Sequence, residues 1–269
     1  MMMAAGIDVV AKLLTENFDT PQIVFLRSLF ALPFALMICY QQKAIPQLKT
    51  PLWGWQIYRG LLTSGAHFGF FYGLIYLDLV TALMLAYISP VLIVLAAKLL
   101  LGERVALKGW LGVMCAFSGV VIILDPGELI FQPSMFAVLA SAVCWALLSI
   151  ANRQLSDRLD PSVLAFYTSP ISILIAALLM AGGWQEPTLK EWGLFILIAF
   201  FGAATHFLAA LAYKYANAST IAPLEYSNLL WASIAAWLIW GKLPESIIWI
   251  GGGFIIVGGL ISLVKKQPD

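Results

Sequence analysis

Charge is scarce in this 269-residue chain: only 11% of residues are Asp, Glu, Lys or Arg, and they nearly cancel at a formal net charge of +1. Without a basic patch, nucleic acid is not an expected partner. Histidine occurs twice and cysteine three times, at Cys39, Cys115 and Cys144, with no close-spaced pair. Neither a disulfide framework nor a metal site is indicated, since both need clustered ligands. A Gly-rich phosphate loop, an HExxH pair and a GxSxG elbow are also missing. ATP is therefore not the expected energy source, an enzyme is not expected, and no cofactor is called for.

What the chain has instead is apolar surface: 62% of residues are hydrophobic and the mean hydropathy is +0.92. A soluble domain of ordinary composition is far more polar. A helix needs roughly 20 mostly apolar residues to cross the hydrocarbon. Ten segments approach or reach that length, at residues 1–14, 21–40, 53–77, 79–101, 106–124, 134–154, 161–181, 190–214, 218–240 and 246–264. They are continuously apolar and rich in Leu, Ala and Gly, without the alternation of a lipid-facing strand, so helices are expected throughout. Prolines 33, 90, 170 and 223 fall inside four of these segments, where they either bend a working helix or form a static kink.

Sliding the sequence along itself by 139 residues brings both histidines, His67 and His206, into register. From Trp53 to Leu124 against Trp192 to Leu263 the match is ungapped, and 18 of its 72 positions are identical. Tyr87 pairs with Tyr226, Gly102 with Gly241, Trp110 with Trp249 and Gly119 with Gly258; upstream, a shift of 141 pairs Asp19 with Asp160. The chain thus reads as two related halves joined near Asp125-Pro126-Gly127. Met1 aligns with position 142 although the partner helix starts near Ser134, so about eight residues are expected to be missing from the first helix. A short tilted helix is the alternative, and no cleavable signal peptide is visible.

With the N-terminus inside, the inner loops and tail carry Lys43, Lys49, Arg104, Lys108, Arg153, Arg158, Lys214, Lys265 and Lys266, whereas the outer loops carry Lys190 and Lys242. Both termini are accordingly expected in the cytoplasm. Five helices per half is an odd number, so the second half enters the membrane upside down relative to the first. The fold class is therefore an all-α membrane protein whose ten transmembrane helices form two five-helix inverted repeats. Halves so related can expose a midplane site to each side in turn.

Several stretches carry a family resemblance: Phe25-Leu26-Arg27-Ser28, the Pro90 helix ending in Leu101-Gly102-Glu103-Arg104, and Ala222-Pro223-Leu224-Glu225-Tyr226 followed by Trp240-Gly241-Lys242-Leu243-Pro244. The chain resembles the drug/metabolite transporter superfamily, specifically its ten-helix EamA-type members. Lys242 departs from the acidic residue usual after that second glycine. The resemblance implies one membrane domain made of repeats at residues 1–125 and 134–266, in a bacterial-type inner membrane. It also implies a carrier of small polar or amphipathic metabolites such as amino acids, nucleosides, vitamins or their derivatives, with export favoured over import. The cavity would be built by helices 1, 3, 4, 6, 8 and 9, and energised by protons, by a counter-solute or by the solute gradient itself. Two other classes fit less well: an intramembrane enzyme lacks a converging nucleophile or metal set, and a non-transporting subunit would leave the polar midplane without a use.

Ionisable groups at membrane depth are costly unless paired or facing water. Counted from the helix ends, Asp8 and Arg27 lie at one depth and Arg59 and Glu225 at another, which suggests two ion pairs acting as gates or substrate anchors; snorkelling arginines are the plainer alternative. Glu225, two residues after Pro223, is suited to bind a substrate ammonium or a proton, or to lock two helices. His67 and His206 fall near mid-helix at equivalent positions, as cavity groups or as packing residues. Tyr72, Tyr87, Trp145, Tyr167, Tyr226 and Trp231 stand away from the helix ends, suited to stack on a substrate or to fill space, with Tyr87 and Tyr226 favoured for the cavity. Trp53, Trp55, Trp192 and Trp249 suit the interfacial belts. Gly112, Gly119 and Gly251 to Gly253 permit close helix contact, either within the fold or across a homodimer.

Overall fold

A computed structural model describes residues 1–77, 79–124, 132–180, 183–240 and 246–263. The junction Asp125-Pro126-Gly127 and the stretch Gly241-Lys242-Leu243-Pro244 lie outside them, as do Lys265, Lys266 and the side chain of Trp249. Among the described residues there are thirteen α-helices and no strand. They are α1 (Met2–Leu14), α2 (Thr20–Gln41), α3 (Trp53–Tyr76), α4 (Leu79–Ala86), α5 (Ser89–Leu100), α6 (Leu107–Leu124), α7 (Pro133–Leu155), α8 (Pro161–Phe166), α9 (Thr168–Leu179), α10 (Leu189–Tyr215), α11 (Ala218–Glu225), α12 (Ser227–Trp240) and α13 (Ser246–Leu263).

Each of the ten expected segments matches one helix or one broken pair to within two residues. The pairs are α4 with α5, α8 with α9, and α11 with α12, interrupted at Tyr87-Ile88, Tyr167 and Tyr226. Pro90 and Pro170 each stand three residues after a break. A proline has no N–H to give, and its ring clashes with the carbonyl four residues earlier, which ends regular helix there. Pro223 stands three residues before its break, and α2 runs unbroken through Pro33.

Local chemistry starts and stops the helices. Pro21, Pro133 and Pro161 lie in first turns, where the missing N–H costs nothing. Thr188 and Glu191 form a capping box at the start of α10. Gly102, at φ +65°, turns the chain out of α5 in the left-handed region that only glycine adopts freely.

Hydrogen bonds between connections give the topology. Asn17, between α1 and α2, bonds Glu191 at the start of α10 at 2.9 Å, and Gln22 exchanges two bonds with Gln185. At the opposite end Gln47 accepts from the Asp160 N–H, and Tyr167 donates to the Leu48 carbonyl. Asp19 and Asp160 are repeat partners, yet they sit at opposite ends of the bundle. The two repeats are therefore inverted.

The packing is that of a protein in lipid. By length and composition, four of the described helices can cross a membrane: Thr20–Gln41, Pro133–Leu155, the joined Pro161–Leu179, and Leu189–Tyr215. Large apolar side chains such as Met37, Leu99, Leu178 and Leu238 face outward, while alanines, serines and the two histidines are buried. Small interior residues let helices approach where no hydrophobic drive exists between them. The clearest case joins α6 and α13: a Cβ at Gly119 would strike the Gly251 carbonyl, and one at Gly258 would lie 2.5 Å from the Gly112 oxygen. Gly112 with Gly251, and Gly119 with Gly258, are repeat partners, so the contact is its own twofold image. These glycines serve the fold of one chain. Trp53 is exposed, as an interfacial belt requires, whereas Trp192 packs on Phe30 and Phe195.

Candidate functional site

A cavity of about 590 Å³ opens between α1, α3, α4–α5, α7, α10 and α11–α12. These are the six helices that the resemblance assigns to it, and Arg27 of α2 reaches in as well. Helix breaks put the wall together: at Tyr87 and Tyr226 two helices interrupt where they face each other, and the rings stand 5.8 Å apart.

His67, Tyr87, Trp145, His206 and Glu225 all line this space, together with Asp8 and Arg27. His67 and His206 meet edge-on at 5.7 Å, and His206 also faces Trp145 at 6.1 Å. Three other residues lie elsewhere. Tyr226 is fully buried behind Tyr87, and Tyr72 and Trp231 point outward at 41% and 42% exposure. Depth along a helix is readable from sequence, but direction around it is not when every face is apolar. At 100° per residue, Tyr72 lies about 140° around α3 from His67.

Neither expected ion pair is formed: Asp8 has no arginine within 4 Å, and neither has Glu225. Arg27 places Nη1 2.8 to 2.9 Å from the ring nitrogens of His67, and its Nε is buried without a partner. Gly202 makes room for this guanidinium, since a Cβ there would come within 2.9 Å of it. Asp8 accepts instead from Asn228 Nδ2 at 2.8 Å. Arg59 is almost wholly enclosed and donates to Gln56, Asn152 and the Leu164 carbonyl at 2.7, 3.0 and 2.8 Å. The break at Tyr167 leaves that carbonyl without its helical partner, so Arg59 pins a broken helix rather than guarding the cavity. Glu225 accepts from Trp145 Nε1 at 3.2 Å and from the Tyr213 hydroxyl at 3.3 Å.

Asn228 and Tyr213 were not anticipated. Both were within reach of the sequence: Asn228 follows Glu225 by three residues, and Tyr213 follows His206 by seven, which are same-face spacings on a helix. A second missed group closes one end of the bundle. Glu103, just past the Gly102 turn, accepts from the N–H groups of Ala218 and Ser219 at 3.1 and 3.2 Å and from the Ser219 hydroxyl at 2.6 Å. A carboxylate of the first half thus caps a helix of the second. Arg153 stands 3.8 Å from it and also holds the Tyr213 carbonyl and Asn217. Among the described residues no group of three or more His, Cys, Asp or Glu could hold a metal ion.

The EamA-like transporter family matches residues 1–125 and again 132–264. The chain is 26% identical to the S-adenosylmethionine uptake transporter of Rickettsia bellii, over 99% of its length and 91% of that protein's. It is 28% identical to the pseudopaline exporter CntI of Pseudomonas aeruginosa, over 94% and 89% of the two chains. Against the riboflavin transporter of Vibrio cholerae the identity is 26%, over 95% and 89%. A solved crystal structure superposes with a TM-score of 0.80 at 19% identity, covering 97% of this chain and 93% of that one. Family and relatives alike are transporters, not enzymes.

Proposed function

The chain belongs to the EamA-like transporter family, and from that premise we propose that it carries a small polar or amphipathic metabolite across a bacterial inner membrane, with the 590 Å³ cavity as the carrying site. The observation behind this reading is that repeat-equivalent residues meet here: His67 and His206 touch at the cavity wall, and Tyr87 on that wall touches Tyr226 buried behind it. Residues exchanged by a twofold axis can meet only close to it, so the cavity sits where two inverted halves rock against each other. Alternating access is then the natural mechanism.

Secondary transport is the energy mode, since no nucleotide-binding motif accompanies the repeats. Glu225 is the candidate for coupling to protons, being a buried carboxylate that among the described residues is hydrogen-bonded to the neutral donors Trp145 and Tyr213. Both termini face the cytoplasm on the strength of the lysine and arginine distribution. Export is the proposed direction; relatives named for uptake and for export leave either represented in the family. Everted and right-side-out vesicles, with and without the protein, test this when preloaded with a cell metabolite extract and profiled over time. Faster loss of at least one solute from right-side-out vesicles is expected. Identical profiles from vesicles that contain folded protein would sink the reading.

A further inference from the structure

The side-chain charges on the cavity wall do not balance. Asp8 and Glu225 supply two carboxylates, and Arg27 supplies the facing guanidinium. Among the described residues neither carboxylate has a side-chain cation within 4 Å. Their partners, Asn228 for one and Trp145 with Tyr213 for the other, are neutral donors that orient a carboxylate without cancelling its charge. Each keeps acceptor capacity for a further donor. Other cations of the bundle are engaged away from this space: Lys12 holds the Leu74 and Leu77 carbonyls, Arg59 holds Gln56, Asn152 and Leu164, and Arg153 lies in the Glu103 clasp.

Arg27 is also incompletely used. Its Nη1 is on His67, but Nε has no partner although the side chain is only 4% exposed. Beside it, a water-sized space of about 10 Å³ is lined by Ser28, Thr168 and Ser169. That space has room for one water and not for a carboxylate, but Arg27 also lines the main cavity, where its charge is open to a ligand carboxylate directly or through such a water. Between the two kinds of charge stand the rings of Phe70, Phe71, Tyr87 and Trp145. Aromatic faces suit an apolar body or the flank of a cation.

Resting on the transport reading above, we infer that the cavity selects amphoteric metabolites of net positive charge, their cationic groups held by Asp8 and Glu225 and their carboxylate by Arg27. One such ligand neutralises side chains that otherwise carry an excess carboxylate in a low-dielectric setting; the Met1 α-amino group, which also lines the cavity, acts on Glu225 only from beyond 4 Å. Neutral zwitterions leave that excess in place, and polyanions add to it.

Isosteric sets decide the matter. Binding to the protein in lipid nanodiscs at neutral pH is measured for L-arginine, L-citrulline and agmatine, and for S-adenosylmethionine, S-adenosylhomocysteine and decarboxylated S-adenosylmethionine. In at least one set the cationic amphoteric member should bind about tenfold or more tighter than its neutral isostere and than its carboxylate-free analogue. Glu225→Gln and Asp8→Asn should erase the first preference and Arg27→Gln the second, with thermal unfolding confirming that each variant is folded. If a variant fails to fold, the wild-type ratios still decide. Equal affinity across the charge states of both sets, or no binding by either cationic member, would overturn the inference. The vesicle profile separates this from the wider reading: cargo that is neutral or anionic removes the charge rule and leaves transport standing, whereas no cargo of any charge removes both.

Discussion

His67 and His206 occupy equivalent positions in two inverted repeats, and their rings touch at 5.7 Å, yet only His67 holds Arg27. The repeat thus provides the frame, and residues that differ between equivalent positions provide the chemistry. Arg27 pairs with Thr168 in the repeat, Asp8 with Ser149 and Glu225 with Ala86, so every charge on the cavity wall breaks the symmetry. Replacing His67 by Phe leaves a buried guanidinium without its acceptor and should cost about 2 kcal/mol. His206→Phe trades one edge-on ring for another and should cost under 1 kcal/mol. Chemical denaturation in detergent reads the difference; equal losses would mean that the His67 bond contributes nothing.

Arg59 gives a second contrast. Its three bonds tie α3 to α7 and to the carbonyl that the Tyr167 break sets free. Arg59→Leu strands Asn152, Gln56 and that carbonyl together, at a cost of about 3 kcal/mol or more. Arg59→Lys keeps the charge but not the fork and should lose about half as much. Exchanging the charges of Arg59 and Glu225 should rescue neither single variant, because the two groups do not meet. A rescued melting temperature in the double variant would show that they do.

At one end of the bundle, the Glu103 carboxylate is the cap of α11 and the partner of Arg153. Glu103→Ala therefore removes a link between the halves while leaving each half's core intact. A cysteine introduced at Leu224, on the cavity wall, in a chain lacking Cys39, Cys115 and Cys144, reports on that end. Its maleimide labelling should quicken several-fold in Glu103→Ala. An unchanged rate would mean the clasp does not hold the end closed.

Which of these relationships could be read beforehand follows from what lipid hides. Helix positions were legible to within two residues, because spanning length and proline placement are written along the chain. Pairing by depth failed for Arg59 and Glu225: depth is one coordinate, and α3 and α11 turn these groups toward different neighbours. Tyr72 and Trp231 failed likewise, since a helix apolar on every side does not announce which side faces a cavity. Asn228 and Tyr213 were missed for the opposite reason, their same-face spacing from Glu225 and His206 being present but unused.

The glycine seam between α6 and α13 is where sequence left two options, contact inside one chain or between two. Gly119 faces the Gly251 carbonyl, and its repeat partner Gly258 faces that of Gly112. Since the two contacts are images of each other, Gly119→Ala and Gly258→Ala should each destabilise by about 1 to 3 kcal/mol, the overpacking range, and by similar amounts. Both added methyls push against backbone, which cannot rotate away as a flexible side chain can. The loss should not depend on protein concentration, because the contact is intramolecular. Unfolding of wild type and both variants across a hundredfold dilution in detergent checks this. A loss that grew on dilution would move the seam to an interface between chains, and a loss in one variant alone would deny the twofold relation of the contacts.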